Sequence, residues 1–582
     1  MSSPVAESRP GPRGLTFVAA DSWLRTRRGL VALWLATTAA VAVVTVLMQL
    51  GGVPGWDDAA HAYKVLLLRD GDSVFWDTYW YGGGYGAITY GFVFYWLAQY
   101  VSGALIVILA AGTIPLSFYL YQRDMWRIDD VWPAWGLALV MALYLAHGQD
   151  PFVLALALTL GGLALLARGR PLWAALSVAV GIFANPMGLV VVVPFVLTDL
   201  IVRPAARRRY VLWAAALSPA VVLRFAIGLA FSEPGSYLNE TSQLMVFLGF
   251  ALVGLAMAGV NAAHPRRQFV VLFLVYGALC VGSFVTPGSP LGNNIGRFFM
   301  VFGLPLLLLL RRTRLRRPFR HGDLAWVAIV AFGVLQLATV TSHFLNAVER
   351  PQTTRAYFAP ALAAARELYD PDYRFHVVAL RRHWEALYFP EAGYPIARGW
   401  YRQADAIHNG FFYSPYNADE YVTWLRSMGV EYIFSPTEGP LDPWSRRESR
   451  LLESSPAFTF VEQAGVWRIY RLLDAEPILV PERPQADDAD AAGPAVSAAG
   501  TQARGDIGFF GHERLIFSVT RPGTYWLKVT SSPYWVLEGP GEVEPRPDRF
   551  MDLHLRRSGT YTLRFRVTPA KTLEVLAGRF GL

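Results

Sequence analysis

Leu200-Ile201-Val202-Arg203-Pro204-Ala205-Ala206-Arg207-Arg208-Arg209-Tyr210-Val211-Leu212 sets four arginines in a short joint between two apolar runs. Translocating such a joint across a bilayer is disfavoured, so it marks the cytoplasmic ends of two spanning helices. The same punctuation recurs in both directions. Apolar runs fall at about 29–50, 88–121, 131–147, 151–167, 171–185, 187–202, 210–231, 243–263, 268–286, 297–310 and 323–345. Arg123 and Arg127 follow the second run, Arg168 and Arg170 the fourth, Arg266 and Arg267 the eighth, and Arg311 to Arg320 the tenth. The intervening connections, such as 232–240 and 286–294, are poor in basic charge.

This alternation predicts a polytopic α-helical membrane protein of about eleven transmembrane helices. It sits multi-pass in the plasma membrane, with a cytoplasmic amino-terminal tail over 1–28 and everything after about His343 outside. The run from Leu30 to Leu50 exceeds a signal-peptide core of roughly 7–15 residues, so it reads as a retained helix. Several later runs fall short of the roughly 20 residues that cross a full hydrocarbon core. The pair flanking Asn185-Pro186 is therefore either two short spans or one re-entrant hairpin.

Composition agrees: 54% of residues are hydrophobic and 16% charged, against roughly 45–50% and 25% in soluble domains. The net charge of +8 is carried by arginines in short loops, which argues for membrane lipids around the chain and against a nucleic-acid surface. Cys280 is the only cysteine, which rules out an intrachain disulfide and a cysteine metal site.

After the membrane domain (29–345) the pattern turns soluble. Strands are expected at 375–380, 431–435 and 466–471, with a helix over 418–428 closed by Gly429, giving an extracytoplasmic α/β domain over 346–474. Residues 475–508 lack periodicity and read as a linker. The segment 509–582 alternates with period two and echoes itself. Arg521-Pro522-Gly523-Thr524-Tyr525 is repeated as Arg557-Ser558-Gly559-Thr560-Tyr561, which predicts a small β-sandwich. Its aromatics Trp526, Tyr534 and Trp535 read either as core or as glycan contacts.

Residues with chemical potential gather at the expected outer ends. Gly55-Trp56-Asp57-Asp58-Ala59-Ala60-His61 follows the first span, and Asp58 to Arg69 reads as a helix lying along the membrane surface. Asp57 is either a helix cap or a catalytic carboxylate; Asp58 and His61 on the adjoining turn favour the second. Trp76, Trp80, Tyr85 and Tyr90 belong to an aromatic segment around Gly82-Gly83-Gly84 that suits sugar stacking or the headgroup level of a bilayer. Arg224 lies within a span, where a charge is costly, and Arg297 opens another after Asn294. A guanidinium fork matches phosphate, although each arginine also suits an internal ion pair. His147 and Asp150 occupy a tight connection; Asp150 reads as a cap, a second acid or a metal ligand.

Asp57-x-x-x-His61, the aromatic-glycine segment Tyr81 to Tyr95, Arg398-Gly399-Trp400-Tyr401-Arg402-Gln403, Trp424-Leu425 and Val430-Glu431-Tyr432-Ile433 together resemble a bacterial group. This is the 6-pyruvoyl-tetrahydropterin synthase-related membrane protein family, similar in turn to the GT-C superfamily of polyprenyl-phosphate-sugar glycosyltransferases. The resemblance runs to about Leu472 and omits the final β module. It implies a lipid-phosphate sugar donor, a glycan or glycolipid acceptor, and Asp57, or Asp58, as base in an inverting transfer at the outer face. A divalent cation is used by some members of the superfamily, and nothing in the residues fixes its use here. The rival readings are a lipid-linked glycan transporter and a non-catalytic envelope assembly protein. No repeated halves of the transporter kind are evident.

Overall fold

In the computed structural model the described residues are 26–50, 54–69, 74–232, 240–260, 266–286, 292–311, 327–335, 338, 351–482 and 503–580. Most of the expected amino-terminal tail, linker residues 483–502, the connection 312–326 and most of the eleventh run lie outside them. The chain divides into two compact units. A helical unit draws on 1–53, 100–224 and 236–348, and a mixed unit on 54–99, 225–235 and 349–582.

The first helices are α1 (Arg27–Leu50), α2 (Asp58–Arg69), α3 (Phe92–Ala98), α4 (Gly103–Asp124), α5 (Trp132–Tyr144) and α6 (Asp150–Ala167). Next come α7 (Pro171–Ala184), α8 (Met187–Val202), α9 (Arg207–Ala230), α10 (Thr241–Val260), α11 (Arg266–Val285) and α12 (Arg297–Leu310). Six of them, α1, α4, α6, α9, α10 and α11, are long and apolar enough to cross a membrane; α5, α7, α8 and α12 are shorter apolar helices. Of the eleventh run, 327–335 and 338 are described and helical. The expected second run, 88–121, is broken at Gln99–Ser102. Ser102 stands at the cap position of α4, with φ −51° and ψ 126° and no capping bond from its side chain.

Within the helical unit, Leu35, Val43, Leu47, Val222, Leu252 and Val285 are exposed, a surface that water penalises and acyl chains accept. Helices meet through small residues, as membrane helices do without a hydrophobic drive. The Thr37 hydroxyl donates to the Gly112 carbonyl at 3.0 Å, and a Cβ on Gly112 would fall 2.1 Å from Thr38 Oγ1. Asn185 ends α7 and its Oδ1 accepts from the Met187 N–H at 2.9 Å, so the Asn185-Pro186 break is capped by its own side chain.

A polar knot ties four helices of this unit. Asp199 on α8, fully buried, accepts from Tyr121 Oη of α4 at 2.5 Å and Tyr210 Oη of α9 at 2.7 Å. Its other oxygen accepts from Trp126 Nε1 at 3.2 Å and Gln268 Nε2 of α11 at 3.3 Å, and Arg203 Nε lies 3.7 Å away. Buried carboxylates persist where hydrogen bonds replace water, and this one collects four.

In the mixed unit, β1 (Trp76–Asp77) pairs antiparallel with β2 (Gly84–Tyr85). Further on come α13 (Arg355–Leu368), β3 (Arg374–Val377), α14 (Glu385–Glu391), α15 (Arg402–His408), α16 (Ala418–Ser427) and β4 (Val430–Pro436). They are followed by α17 (Arg446–Ser454), β5 (Phe458–Ala464) and β6 (Trp467–Leu472). Strand order is β3-β4-β6-β5, with β3 parallel to β4 and the other pairs antiparallel. Strands β3, β4 and β6 fall on the stretches expected from the sequence, shifted by a few residues, whereas β5 was not expected. A capping box between Asn417 and Glu420 starts α16, and Gly429 at φ +67° leads into β4.

Helix α2 is not a surface helix. Ala59, Ala60, Tyr63 and Leu67 form an apolar face buried in one core with Phe358, Phe375, Phe389 and Trp467 of the α/β fold. The first connection is thus built into the mixed unit.

The carboxy-terminal strands are β7 (Leu479–Pro481), β8 (Gly505–Phe510), β9 (Arg514–Val519), β10 (Gly523–Leu527), β11 (Trp535–Glu538), β12 (Gly541–Pro545), β13 (Met551–Leu555) and β14 (Gly559–Phe565), and helix α18 (Pro569–Phe580) follows. They form two four-stranded antiparallel sheets, β12-β13-β10-β7 and β11-β14-β9-β8, sharing one apolar core. Strand β7 comes before residue 483, ahead of the expected module start at 509. The repeated pentapeptide has a physical basis. Tyr525 Oη donates to the Arg521 carbonyl at 2.8 Å and Tyr561 Oη to the Arg557 carbonyl at 2.7 Å, while Gly523 and Gly559 take positive φ.

Candidate active site

Helix α2 positions the carboxylate pair in the mixed unit. The His61 N–H donates to the Asp57 carbonyl at 2.9 Å, so Asp57 stands at the cap position and Asp58 is the first helical residue. Asp58 Oδ2 accepts from the Gly55 N–H at 2.6 Å. Burial pushes its carboxyl above the ordinary value, and the Gly55 N–H and the Arg382 charge only partly offset this. Arg382 also packs its guanidinium 4.5 Å from the Trp56 ring centre and donates to the Pro54 carbonyl, holding the segment ahead of the helix. Asp58 therefore organises the loop, and Asp57, half-buried like its neighbour, is the member of the pair not tied to the Gly55 N–H.

His61 is buried one turn later. Its Nδ1 lies 3.0 Å from Tyr95 Oη of α3, which fixes the ring's direction. The Asp57 charge acts on the same phenol. Asp57, His61 and Tyr95 thus form one polar group on facing helices α2 and α3.

The aromatic segment is mostly scaffold. Trp80 stacks on Tyr63 at 4.5 Å and donates its indole N–H to the Ala386 carbonyl at 2.9 Å. Trp76 stacks on Phe565 at 4.7 Å and meets Tyr85 edge-on at 5.2 Å. Tyr90 meets Tyr401 edge-on at 6.4 Å. Gly83 has φ +129°, and a Cβ there would lie 2.8 Å from the Trp76 ring, so the turn admits only glycine. Tyr534 and Trp535 of the β module are core residues, whereas Trp526 is half-buried beside Lys528 and Arg546.

Between Trp76 and Trp80, Asp77 Oδ1 accepts from Tyr63 Oη and the Tyr79 N–H, each at 3.0 Å, and lies 3.0 Å from His512 Nδ1. Burial raises this carboxyl, but His512, the Lys64 charge and the Tyr79 N–H together hold it below the usual range.

A second group belongs to the helical unit. Arg297 opens α12, donates from Nε to Asn294 Oδ1 and from Nη1 to Gln149 Oε1, both at 2.8 Å, and lies 4.6 Å from the Phe152 ring centre. Tyr144 Oη donates to the same Gln149 oxygen at 2.5 Å. His147 stacks on Tyr144 at 4.8 Å, with Nδ1 3.2 Å from the Tyr144 carbonyl. Asp150 begins α6, where a carboxylate suits the helix dipole. The structure thus brings Asn294, Arg297 and the 144–152 connection together. Arg224 is half-buried on α9. An apolar groove of about 510 Å³ runs along α4 and α6 of the same unit, with Thr113, Ser117 and Arg168 among its lining.

Sequence reasoning missed Gln149, Tyr144 and Lys64. Lys64 carried a signal: it is the only lysine ahead of Lys528 in a chain that otherwise uses arginine. Among the described residues no group of three or more His, Cys, Asp or Glu side chains could hold a metal ion.

No family model matches the chain, and no curated protein does, so the 6-pyruvoyl-tetrahydropterin synthase-related resemblance gains no support there. Among solved structures the chain is similar to the arabinofuranosyltransferase AftD from Mycobacteria, at 16% identity and TM-score 0.48. That match covers 94% of this chain and 57% of AftD, so the chain spans little more than half of its length. It is also similar to an oligosaccharyltransferase of Archaeoglobus fulgidus in its apo form (10% identity, TM-score 0.42, 70% of each chain). The third likeness is to AglB from the same organism with an inhibitory peptide and a dolichol-phosphate (10% identity, TM-score 0.40, 72% of this chain and 70% of that one). Likenesses this shallow decide neither fold nor chemistry, which rest on the residues above.

Proposed function

We propose that the protein is a membrane glycosyltransferase that moves a sugar from a polyprenyl-phosphate donor to a cell-envelope glycan or glycolipid acceptor, with inversion at the anomeric carbon. The reading is carried by the α2 arrangement: a half-buried carboxylate, Asp57, one turn ahead of a buried imidazole that Tyr95 orients. Asp57 takes the proton from the acceptor hydroxyl as its oxygen attacks the anomeric carbon, and the bond from that carbon to the phosphate oxygen breaks. The electron pair leaves with the lipid phosphate. Arg297, whose guanidinium is held by Asn294 and Gln149, is the helical unit's candidate to offset the charge gathering there. The apolar groove along α4 and α6 is of a kind that suits a prenyl chain.

The test is transfer by purified protein in lipid nanodiscs supplied with candidate polyprenyl-phosphate sugars and envelope acceptors. Asp57→Asn is expected to lower kcat by about 10²- to 10⁴-fold, the range for losing a general base, with an unchanged melting temperature. Activity retained in Asp57→Asn removes the assignment.

A further inference from the structure

We infer that a cavity in the mixed unit, faced by Lys64 and Arg549, binds a sugar that carries an anionic group, a phosphate or a carboxylate. The cavity measures about 370 Å³, within the usual range for small-ligand sites, and draws its walls from the aromatic segment, from α15 and from the β module. Lys64 is 5% exposed, yet among the described residues its ammonium makes no hydrogen bond or ion pair. It lies 5.3 Å from the Trp80 ring centre and 5.9 Å from that of Tyr401. Arg549 faces the same space from a backbone at φ +77°. Its Nη2 rests on Met428 Sδ at 3.1 Å, and its Nη1 is buried without a hydrogen-bond partner among the described residues. The Thr530 hydroxyl, also on the lining, is buried without a partner in the same sense.

Buried donors left unmatched cost free energy, and a desolvated cation costs most. Two buried unmatched donors, Arg549 Nη1 and the Thr530 hydroxyl, together with the Lys64 ammonium, which is under the influence of the Asp77 charge, face one hollow and call for an acceptor that brings negative charge. The aromatic walls add the flat apolar faces that sugar rings pack against. Asp77 is the one carboxylate on the lining; its Oδ1 is committed to Tyr63, the Tyr79 N–H and His512, while its Oδ2 is buried without a hydrogen-bond partner among the described residues. His408, on the lining too, is held neutral by burial and the Arg549 charge, with a pKa lowered to about 4, so it offers a hydrogen bond without a third charge.

The experiment is calorimetric titration of the full chain in detergent with glucose 1-phosphate, glucuronate, glucose, inorganic phosphate and farnesyl phosphate. The two anionic sugars are expected to bind at least about 10-fold more tightly than glucose or phosphate, as a charge-assisted bond allows. Lys64→Met and Arg549→Met should each weaken them by about 10-fold. Where either variant melts early, Thr530→Val keeps the packing and should still weaken binding by about 3-fold. Glucose binding as well as glucose 1-phosphate, phosphate alone binding equally well, or insensitivity to these variants overturns the proposal. Displacement of the sugars by tighter farnesyl phosphate overturns it in favour of a lipid headgroup. Turnover is not read, so a failed transfer assay leaves this result independent.

Discussion

The His383 imidazole stacks on the Trp400 indole at 4.0 Å and 21°, clamped on its edge by two carboxylates. Glu385 Oε1 lies 3.0 Å from Nδ1 and Asp442 Oδ2 3.6 Å from Nε2. Burial disfavours the imidazolium, but the Asp442 and Glu385 hydrogen bonds and charges outweigh it and raise the pKa to about 8. A folded pKa above the unfolded value of 6.5 gives stability that is whole below pH 6.5 and is lost as pH rises through 8. The shift corresponds to about 2 kcal/mol. Lys528 acts in the opposite sense: burial lowers it to about 8, so its contribution improves above that pH. The difference between wild type and His383→Gln isolates the histidine. It should shrink by about 2 kcal/mol between pH 6 and 9 in thermal melts of the full chain, and a pH-independent difference refutes the clamp.

The paired tyrosines of the β module predict a small, matched loss. Tyr525→Phe and Tyr561→Phe each remove one hydroxyl that donates to a turn carbonyl four residues upstream. Each should cost about 1 kcal/mol, and the double variant about 2, because the turns start different sheets. Denaturation followed by near-ultraviolet circular dichroism reads this directly; a neutral double variant would make the repeat an accident of composition.

The turn repeat was legible in the sequence because one pentapeptide closes both turns with the same bond, and β3, β4 and β6 were legible as short apolar and aromatic runs, whereas β5, exposed over most of its length, was not. The break at Gln99–Ser102 was not, since Tyr100 and Val101 continue an apolar run and only Ser102 hints at a new helix start. Helix α2 was misplaced for a related reason. Ala59, Ala60, Tyr63 and Leu67 make a face that either lipid or a soluble core accepts, and no local pattern tells the two apart. Strand β7 is three residues ending in Pro481, too short to show a period. In the site, Asn294, Arg297, His147 and Asp150 could be singled out by charge and position. Gln149, a neutral amide, became meaningful only once two donors were seen to share its oxygen.

The Asp199 knot predicts a strong effect on stability with little effect on chemistry. Asp199→Ala leaves Tyr121, Tyr210, Trp126 and Gln268 without their common acceptor and Arg203 without its carboxylate. Breaking a buried charged cluster typically costs about 3–5 kcal/mol, and Asp199→Asn, which keeps one acceptor, should cost about half as much. Melting in detergent should fall in that order. Wild-type KM in the residual folded fraction is the expected companion result; a raised donor KM would move Asp199 out of the scaffold.

Arg297 and Gln149 separate charge from geometry. A lysine at 297 keeps the charge but cannot bond both Asn294 and Gln149 while lying over Phe152, because its ammonium is a point rather than a plane. If the guanidinium receives the leaving phosphate, Arg297→Lys should lower kcat/KM by about 10- to 100-fold, the worth of one or two charged hydrogen bonds. Gln149→Leu removes the bond to Nη1 and should act in the same direction but more weakly, since Asn294 still holds Nε. A purely structural arginine gives a different signature: both variants would lower the melting temperature in proportion to their loss of activity, whereas loss of a contact to the developing charge lowers kcat at an unchanged melting temperature. Measuring donor KM, kcat and melting temperature on the same preparations distinguishes the two, and an unchanged kcat and kcat/KM in a folded Arg297→Lys would take Arg297 out of the reaction.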